Sequence, residues 1–307
     1  MSMLYRPSTK RTCMRALSLA ALLLPCSFAH AERSIDLSRS ADPTGTVEFS
    51  ELAGSVQFVG WDRSEVQVAG TLGDGIDSVD LSGSSGRTII HLVLRAGVSN
   101  HGGEARLVIH VPVASAIAAT TVSADLELHG IRGDAKLQTV SGDVSGDMGG
   151  GLHASTVSGS VRLTARETRS IEIKTISGDV HLSGGSGELE ITTVSGTVSV
   201  DRGSLTRGRF KSVSGTVSVQ LALASDADLS AESVNGDVSF NFSAPPAAEF
   251  DVQSFSGDIQ NCFGPAPEKS RYGSGSRLMF KNGDARARVR IDTKSGDVKL
   301  CGKDLGK

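Results

Sequence analysis

Thr139-Val140-Ser141-Gly142-Asp143-Val144 decides the fold, because it does not occur once. It returns as TVSGSV at 156–161, TISGDV at 175–180, TVSGTV at 193–198 and SVSGTV at 212–217. It returns again as SVNGDV at 233–238, SFSGDI at 254–259 and TKSGDV at 293–298, and a first copy at 121–126, TVSADL, has lost the glycine. A sentence this regular reports architecture before it reports chemistry.

We number each copy from its glycine: Gly142, Gly159, Gly178, Gly196, Gly215, Gly236, Gly257 and Gly296, with Ala124 in the first. Successive spacings are 18, 17, 19, 18, 19, 21, 21 and 39 residues. A period near 20 built from β-type residues marks a solenoid. Apolar residues stand at −7 and −5, as Ile171 and Ile173 do, and at +2 and +4, as Val161 and Leu163 do. Alternation on both sides of a fixed turn gives an incoming and an outgoing strand per coil. One coil cannot bury its own apolar face, but coils stacked about 4.8 Å apart can. The expectation is an all-β, single-chain β-solenoid of about nine coils, with a core rod on the order of 40 Å long. The eight glycines are its structural turns, needed for a positive φ or for close approach to the next coil. The hydroxyls at −3, Thr or Ser in each copy, are expected to form a ladder up the stack.

Ahead of the repeat, residues 32–115 read as a β-rich cap. Runs such as 88–94 (TIIHLVL) and 105–111 (ARLVIHV) alternate between Gly-, Ser- and Asp-rich turns. No stretch keeps a helical period. Trp61, the only tryptophan, reads as a packing anchor of this region. Residues 116–307 hold the repeats, with an insertion loop at 262–284 marked by proline and glycine.

Residues 1–31 read as a cleaved signal peptide. Lys10, Arg11 and Arg15 precede an apolar run at 16–24, and Ala29-His30-Ala31 offers the small-x-small cleavage pattern. Pro25 stands where lipidation of Cys26 needs a small residue. The leader holds Arg6 and those three bases but no acid. Of 31 basic side chains 27 remain, against 34 acidic ones, and the mature charge is −7. That balance argues against nucleic acid and anionic membrane as partners. No later run is long enough for a transmembrane helix, so no such anchor is expected in the mature chain.

Two cysteines survive cleavage, Cys262 and Cys301, both at +5 in their coils. An even pair in an oxidising compartment reads as a disulfide. If their coils are neighbours, equivalent positions lie about 4.8 Å apart, within reach of a bond; an intervening coil would forbid it. Lys294, Lys299, Lys303 and Lys307 read as charges that keep a terminal coil from pairing with another chain.

The motif Thr-Val-Ser-Gly-Asp-Val, set between alternating apolar residues and preceded by a β-rich region ending in Ile109-His110-Val111-Pro112, resembles the bacterial "putative adhesin" family, domain of unknown function 4097. The resemblance covers nearly the whole mature chain. It implies a β-solenoid and an adhesin-like role, and it brings no catalytic residues to carry over.

Chemistry-bearing residues are sparse. The +1 column of Asp125, Asp143, Asp179, Asp237, Asp258 and Asp297 offers Ca²⁺ ligands, but Ser160, Thr197 and Thr216 interrupt it and turn capping is the favoured role. His91, His101, His110, His129, His153 and His181 show no zinc spacing. No nucleophile elbow and no marked carboxylate pair points to an enzyme. No cofactor is expected. In the insertion loop, Arg271 and Tyr272 are of types enriched at binding hot spots and form the candidate partner-binding loop. The functional expectation is a non-enzymatic exported scaffold of the envelope or cell surface, adhesin-like, whose partner is an envelope protein or glycan. The alternative is a periplasmic accessory in envelope homeostasis, and a polysaccharide-acting enzyme ranks third. With no anchor and no C-terminal barrel read in the sequence, the periplasm is expected over surface display if the cell has two membranes.

Overall fold

A computed structural model describes residues 33–97, 104–166, 168–270 and 274–302, and every regular element in them is a strand. Arg271, Tyr272, His101, Lys303, Lys307 and the expected signal peptide lie outside the described residues. The N-terminal strands are β1 (Arg33–Ser40), β2 (Thr46–Trp61), β3 (Glu65–Leu72), β4 (Ile76–Ser84), β5 (Arg87–Leu94) and β6 (Glu104–Pro112). The regular repeats supply β7 (Ala116–Ile131), β8 (Ala135–Gln138), β9 (Val144–Met148), β10 (Leu152–Thr156), β11 (Val161–Ala165), β12 (Ser170–Thr175) and β13 (Val180–Gly184). They continue as β14 (Ser186–Ser195), β15 (Val198–Ser214), β16 (Val217–Ser233) and β17 (Val238–Phe242). The chain closes with β18 (Ala248–Ser254), β19 (Ile259–Asn261), β20 (Glu268–Lys269), β21 (Ser276–Lys281), β22 (Ala287–Thr293) and β23 (Val298–Gly302).

The repeats stack as parallel rungs in register. Ile171 lies over Leu152 and Ile173 over Ala154 on the incoming side, while Val180 lies over Val161 on the outgoing side. Alternation puts the −7, −5, −3, +2 and +4 side chains inward. Leu137, Ala154, Ile173, Val144 and Leu182 are fully buried as a result. Burying an aliphatic side chain of this size is worth about 1.5–3 kcal/mol, and the gain recurs at every level. The ladder does not break at the turn: the Ser141 N–H donates to the Val122 carbonyl at 2.8 Å, and the Val144 N–H to the Ser160 carbonyl at 2.9 Å.

The stack begins earlier than the sequence repeat shows. β2 pairs with β7 in parallel from Thr46 against Ala116 to Val59 against His129. Val47, Phe49, Val56 and Phe58 are its buried residues, at −7, −5, +2 and +4 from Gly54. A rung therefore lies inside the region expected to be only a cap. β5 and β6 pair with the far side of β2, and the antiparallel pairs β4–β5, β3–β6 and β1–β3 finish that end.

At the other end the rungs do not follow chain order. β22 pairs with β16 on one side and β18 on the other; β23 lies likewise between β17 and β19. The rung at 287–302 is thus inserted beneath the rung at 248–261, which precedes it in sequence. The chain steps over one level through Pro245-Pro246 and returns later to fill it. This corrects the reading of Lys294 and Lys299 as charges on a terminal coil: their coil has a parallel neighbour on both sides. The end is closed by β21, antiparallel to β18, with β20 beyond it. Much of the expected insertion loop is therefore a covering hairpin. Its Phe280 stacks on Phe250 with ring centroids 4.6 Å apart, and Phe263 packs on Phe250 at 5.6 Å, sealing the apolar rod.

The corner hydroxyls also depart from expectation. The Gly142, Gly159 and Gly178 N–H groups donate to Thr139, Thr156 and Thr175 Oγ1 at 3.0, 2.9 and 3.0 Å, each within its own corner. The bonds these hydroxyls accept therefore lie within the corner and not up the stack. Ser254 is different: its hydroxyl donates to the Gly296 carbonyl of the next rung at 3.0 Å.

Candidate functional site

The corner that turns each rung also builds a long uniform surface. Position −3 points inward and −2 therefore points out. Yet −2 is aliphatic in one copy after another. Val122, Val140, Val157, Ile176, Val194, Val213 and Val234 stack in register, each 37–48% exposed. Lys294 follows Val234, and Phe255, 75% exposed, ends the column. Solvent-facing positions in strands and at the turns that end them usually carry polar side chains, so an unbroken outward aliphatic line is informative. β-branched residues do favour strands, but Thr would satisfy that preference without exposing apolar surface.

Polar columns flank this ridge. A row of small polar residues, such as Ser141, Ser158 and Ser177, lies beside it at −1, and the glycines come next. Each corner glycine is forced by its neighbour below. A Cβ on Gly159 would run into the Gly142 carbonyl oxygen, one on Gly215 into that of Gly196, and one on Gly257 into that of Gly296. Close approach is the general reason, since of the eight only Gly196 has a positive φ.

The aspartates at +1 tie rung to rung. The Asp143 N–H donates to Asp125 Oδ1 at 2.9 Å, the Ser160 N–H to Asp143 Oδ1 at 2.8 Å and the Thr197 N–H to Asp179 Oδ1 at 2.7 Å. Each of these carboxylates caps the turn of the rung above rather than its own, so one oxygen of each already has a partner. Among the described residues no three His, Cys, Asp or Glu side chains gather as a metal site.

Among the described residues the histidines are dispersed, and His110 is partly buried. His129 Nε2 lies 2.9 Å from Glu127 Oε1, and His153 Nδ1 2.9 Å from Glu172 Oε2. Hydrogen bonds from Lys174 and then His153 hold the Glu172 carboxyl below its usual range. Trp61 is half-buried: it donates to the Glu65 carbonyl at 2.8 Å, stacks on His110 at 4.9 Å and carries the Arg63 guanidinium 4.8 Å above its ring. Cys262 and Cys301 come together with Cα atoms 4.9 Å apart and their sulfurs in bonding contact. Beside the covering hairpin, Phe255, Lys269 and Arg277 line a shallow groove. The Lys269 ammonium bonds Asp258 at 2.8 Å, which raises its pKa.

Sequence reasoning missed the ridge. The signal was present: an apolar residue at −2 in every copy but one, at the wrong parity for the core.

A family model described as Toastrack DUF4097 matches residues 44–301. The chain belongs to that family. Its all-β, solenoid-like fold agrees with the family's. Solved structures similar to the chain include these three. A "putative lipid binding protein" from Parabacteroides distasonis is 12% identical over 86% of this chain and 96% of that one, at a TM-score of 0.48. A "putative adhesin" from Parabacteroides merdae is 10% identical over 87% and 96%, at 0.39. Another "putative adhesin", from Bacteroides fragilis, is 8% identical over 88% and 98%, at 0.38. No curated protein sequence matches the chain. No helix among the described residues is long and apolar enough to cross a membrane.

Proposed function

We propose that this family member is exported and works as a non-enzymatic binding scaffold of the cell envelope or surface, with the aliphatic column from Val122 to Val234 as its contact line. The in-register exposure of that column carries the reading. Stacked rungs hold the ridge straight and rigid, so an extended partner binds it without ordering it first. Mixed charges border it, among them Lys211, Glu232, Asp292 and Lys294, which suits register selection more than raw affinity. The apparent leader at 1–31 and a Cys262–Cys301 disulfide in the mature protein fit an oxidising compartment.

The test replaces Val140, Val157, Ile176 and Val194 together with serine. These side chains are outside the core, so the variant should keep its β-type circular dichroism and protease resistance. Cross-linking in intact envelopes should lose the partner that the wild-type protein captures. Undiminished capture by a folded quadruple variant would remove the ridge from the function. Depolymerisation of an envelope glycan by the purified protein would remove the non-enzymatic reading. Fractionation decides between surface and periplasm.

A further inference from the structure

A concavity of about 940 Å³ lies away from the ridge, where outgoing strands connect to the next incoming ones. Three successive connections form it, and backbone hydrogen bonds hold them one above another. The Arg132 N–H donates to the Val113 carbonyl at 2.8 Å, the Gly149 N–H to the Ile131 carbonyl at 2.7 Å, and the Arg166 N–H to the Met148 carbonyl at 3.0 Å. Arg132, Gly149 and Arg166 are therefore equivalent positions on neighbouring levels. The two arginines stand two rung spacings apart, about 9.6 Å, with a notch between them because the middle connection, Gly149-Gly150-Gly151, has no side chains. Arg169 lines the same basin.

Two of those glycines are explained by packing. A Cβ on Gly150 would strike the Gly133 carbonyl oxygen, and one on Gly151 would crowd Asp134 Oδ1, which accepts the Gly151 N–H at 2.8 Å. Gly149 is not explained that way. Its φ is not positive, and a Cβ there would meet nothing nearer than Arg132 Cγ at 3.8 Å. A side chain is allowed, and its absence leaves the notch open.

Among the described residues three arginines and two acids line the basin; Glu167, in the third connection, lies outside them. The two acids of the basin have partners: Asp134 as above, and Asp147, which lies 3.5 Å from Arg166 Nε and 3.6 Å from His129 Nδ1. Arg132 and Arg169 pair with no acid among the described residues, whereas Arg207 bonds Glu188 at 2.6 Å and Arg87 bonds Glu48 at 2.7 Å. A guanidinium matches a planar or tetrahedral oxyanion through paired N–H donors. The basin is too large for a bare ion, and its glycine floor has no side chain to exclude a ring. We propose that it binds an anionic sugar, the charged group being a carboxylate or a phosphate held between Arg132 and Arg166, with Arg169 beside it. This site stands whether or not the ridge binds a partner.

The experiment titrates the folded mature protein with galacturonate, glucose 6-phosphate, galactose and inorganic phosphate, following the amide NMR signals of Gly149, Gly150 and Gly151. At least one charged sugar should give saturable shifts there, galactose none, and the two charged probes separate carboxylate from phosphate. Arg132→Gln and Arg166→Gln should each weaken binding about tenfold or more. Gly149→Leu, which fills the notch from a position the backbone tolerates, should abolish binding while leaving the unfolding midpoint near that of the wild type. The quadruple ridge variant should bind as the wild type does. No saturable shift with either charged sugar, or unchanged affinity in the arginine and Gly149 variants, overturns the site. Inorganic phosphate binding as tightly as glucose 6-phosphate overturns its assignment to a sugar.

Discussion

The backbone N–H of Asp297 donates to Oδ1 of Asp237 at 2.8 Å across a separation of 60 residues. Asp297 Oδ1 then accepts the N–H of Asp258 at 2.8 Å. The relay runs in one direction along the stack and orders these rungs 237, 297, 258, against the order of the chain. Each bond gives a turn N–H a carboxylate oxygen, beside the backbone ladder that runs through the same turn. Asp237→Ala should therefore destabilise the protein by about 1 kcal/mol, below the about 1.5–3 kcal/mol of a bond to a charged group because Asp237 is exposed. Asp237→Asn keeps a carbonyl acceptor and should cost less. Urea unfolding measures both, and faster exchange of the Asp297 amide locates the effect. An alanine variant as stable as the wild type would mean that water replaces the cap.

The same reversal sets the role of the cysteines. With the rung at 287–302 lying directly against that at 248–261, Cys301 meets Cys262. A bond there fastens the last rung into a slot that the chain has to re-enter. The chain-entropy model assigns a loop of this length about 3–4 kcal/mol. Reduction, or the double Cys→Ser variant, should lower stability by about that much, and hydrogen exchange should rise first in β18, β19, β22 and β23. Mass spectrometry finding two free thiols in the oxidised mature protein would rule the bond out.

The regular part of this fold was legible because its cause is local. Parity at −7, −5, +2 and +4 identifies buried positions whatever the handedness of the coil, and Val144 and Leu137 are buried as that parity requires. Gly54 went unread because Glu51 stands where other copies have Thr or Ser, although Val56 and Phe58 keep the alternation. The rung order was not legible. Spacings of 21 and 39 residues suit a simple step with an insertion as well as a skipped level filled later, and only non-local pairing separates them. The ridge was legible in principle, but an outward valine resembles an inward one until its parity is counted. Arg271 and Tyr272, outside the described residues, remain a proposal for partner binding.

The corner glycines give a sharp steric test. Gly159 has an ordinary φ, but a Cβ there would press on the Gly142 carbonyl oxygen, which is backbone held by rung stacking. Gly159→Ala should cost about 3 kcal/mol, at the upper end for overpacking, because two rungs have to separate. Gly86→Ala is the control. Nothing lies within 4 Å of its Cβ position, and the change should stay within about 0.5 kcal/mol of the wild type. Chemical denaturation of the two variants side by side distinguishes close approach from mere flexibility; equal effects would refute the steric account.

Lys294 interrupts the exposed column where the chain re-enters the stack. The Lys294 N–H donates to the Ser233 carbonyl at 3.1 Å, and the Phe255 N–H to the Thr293 carbonyl at 3.0 Å, so the lysine stands between Val234 and Phe255. Lys294→Val would join the seven aliphatic positions to the most exposed aromatic side chain of the column. Contiguous apolar surface of that extent drives association. The variant should bind more of an apolar dye and sediment with a larger self-associated fraction than the wild type. Lys294→Gln removes the charge without adding apolar area and should behave like the wild type. If both variants associate equally, charge repulsion is what Lys294 supplies. If neither does, the ridge does not act as one continuous surface.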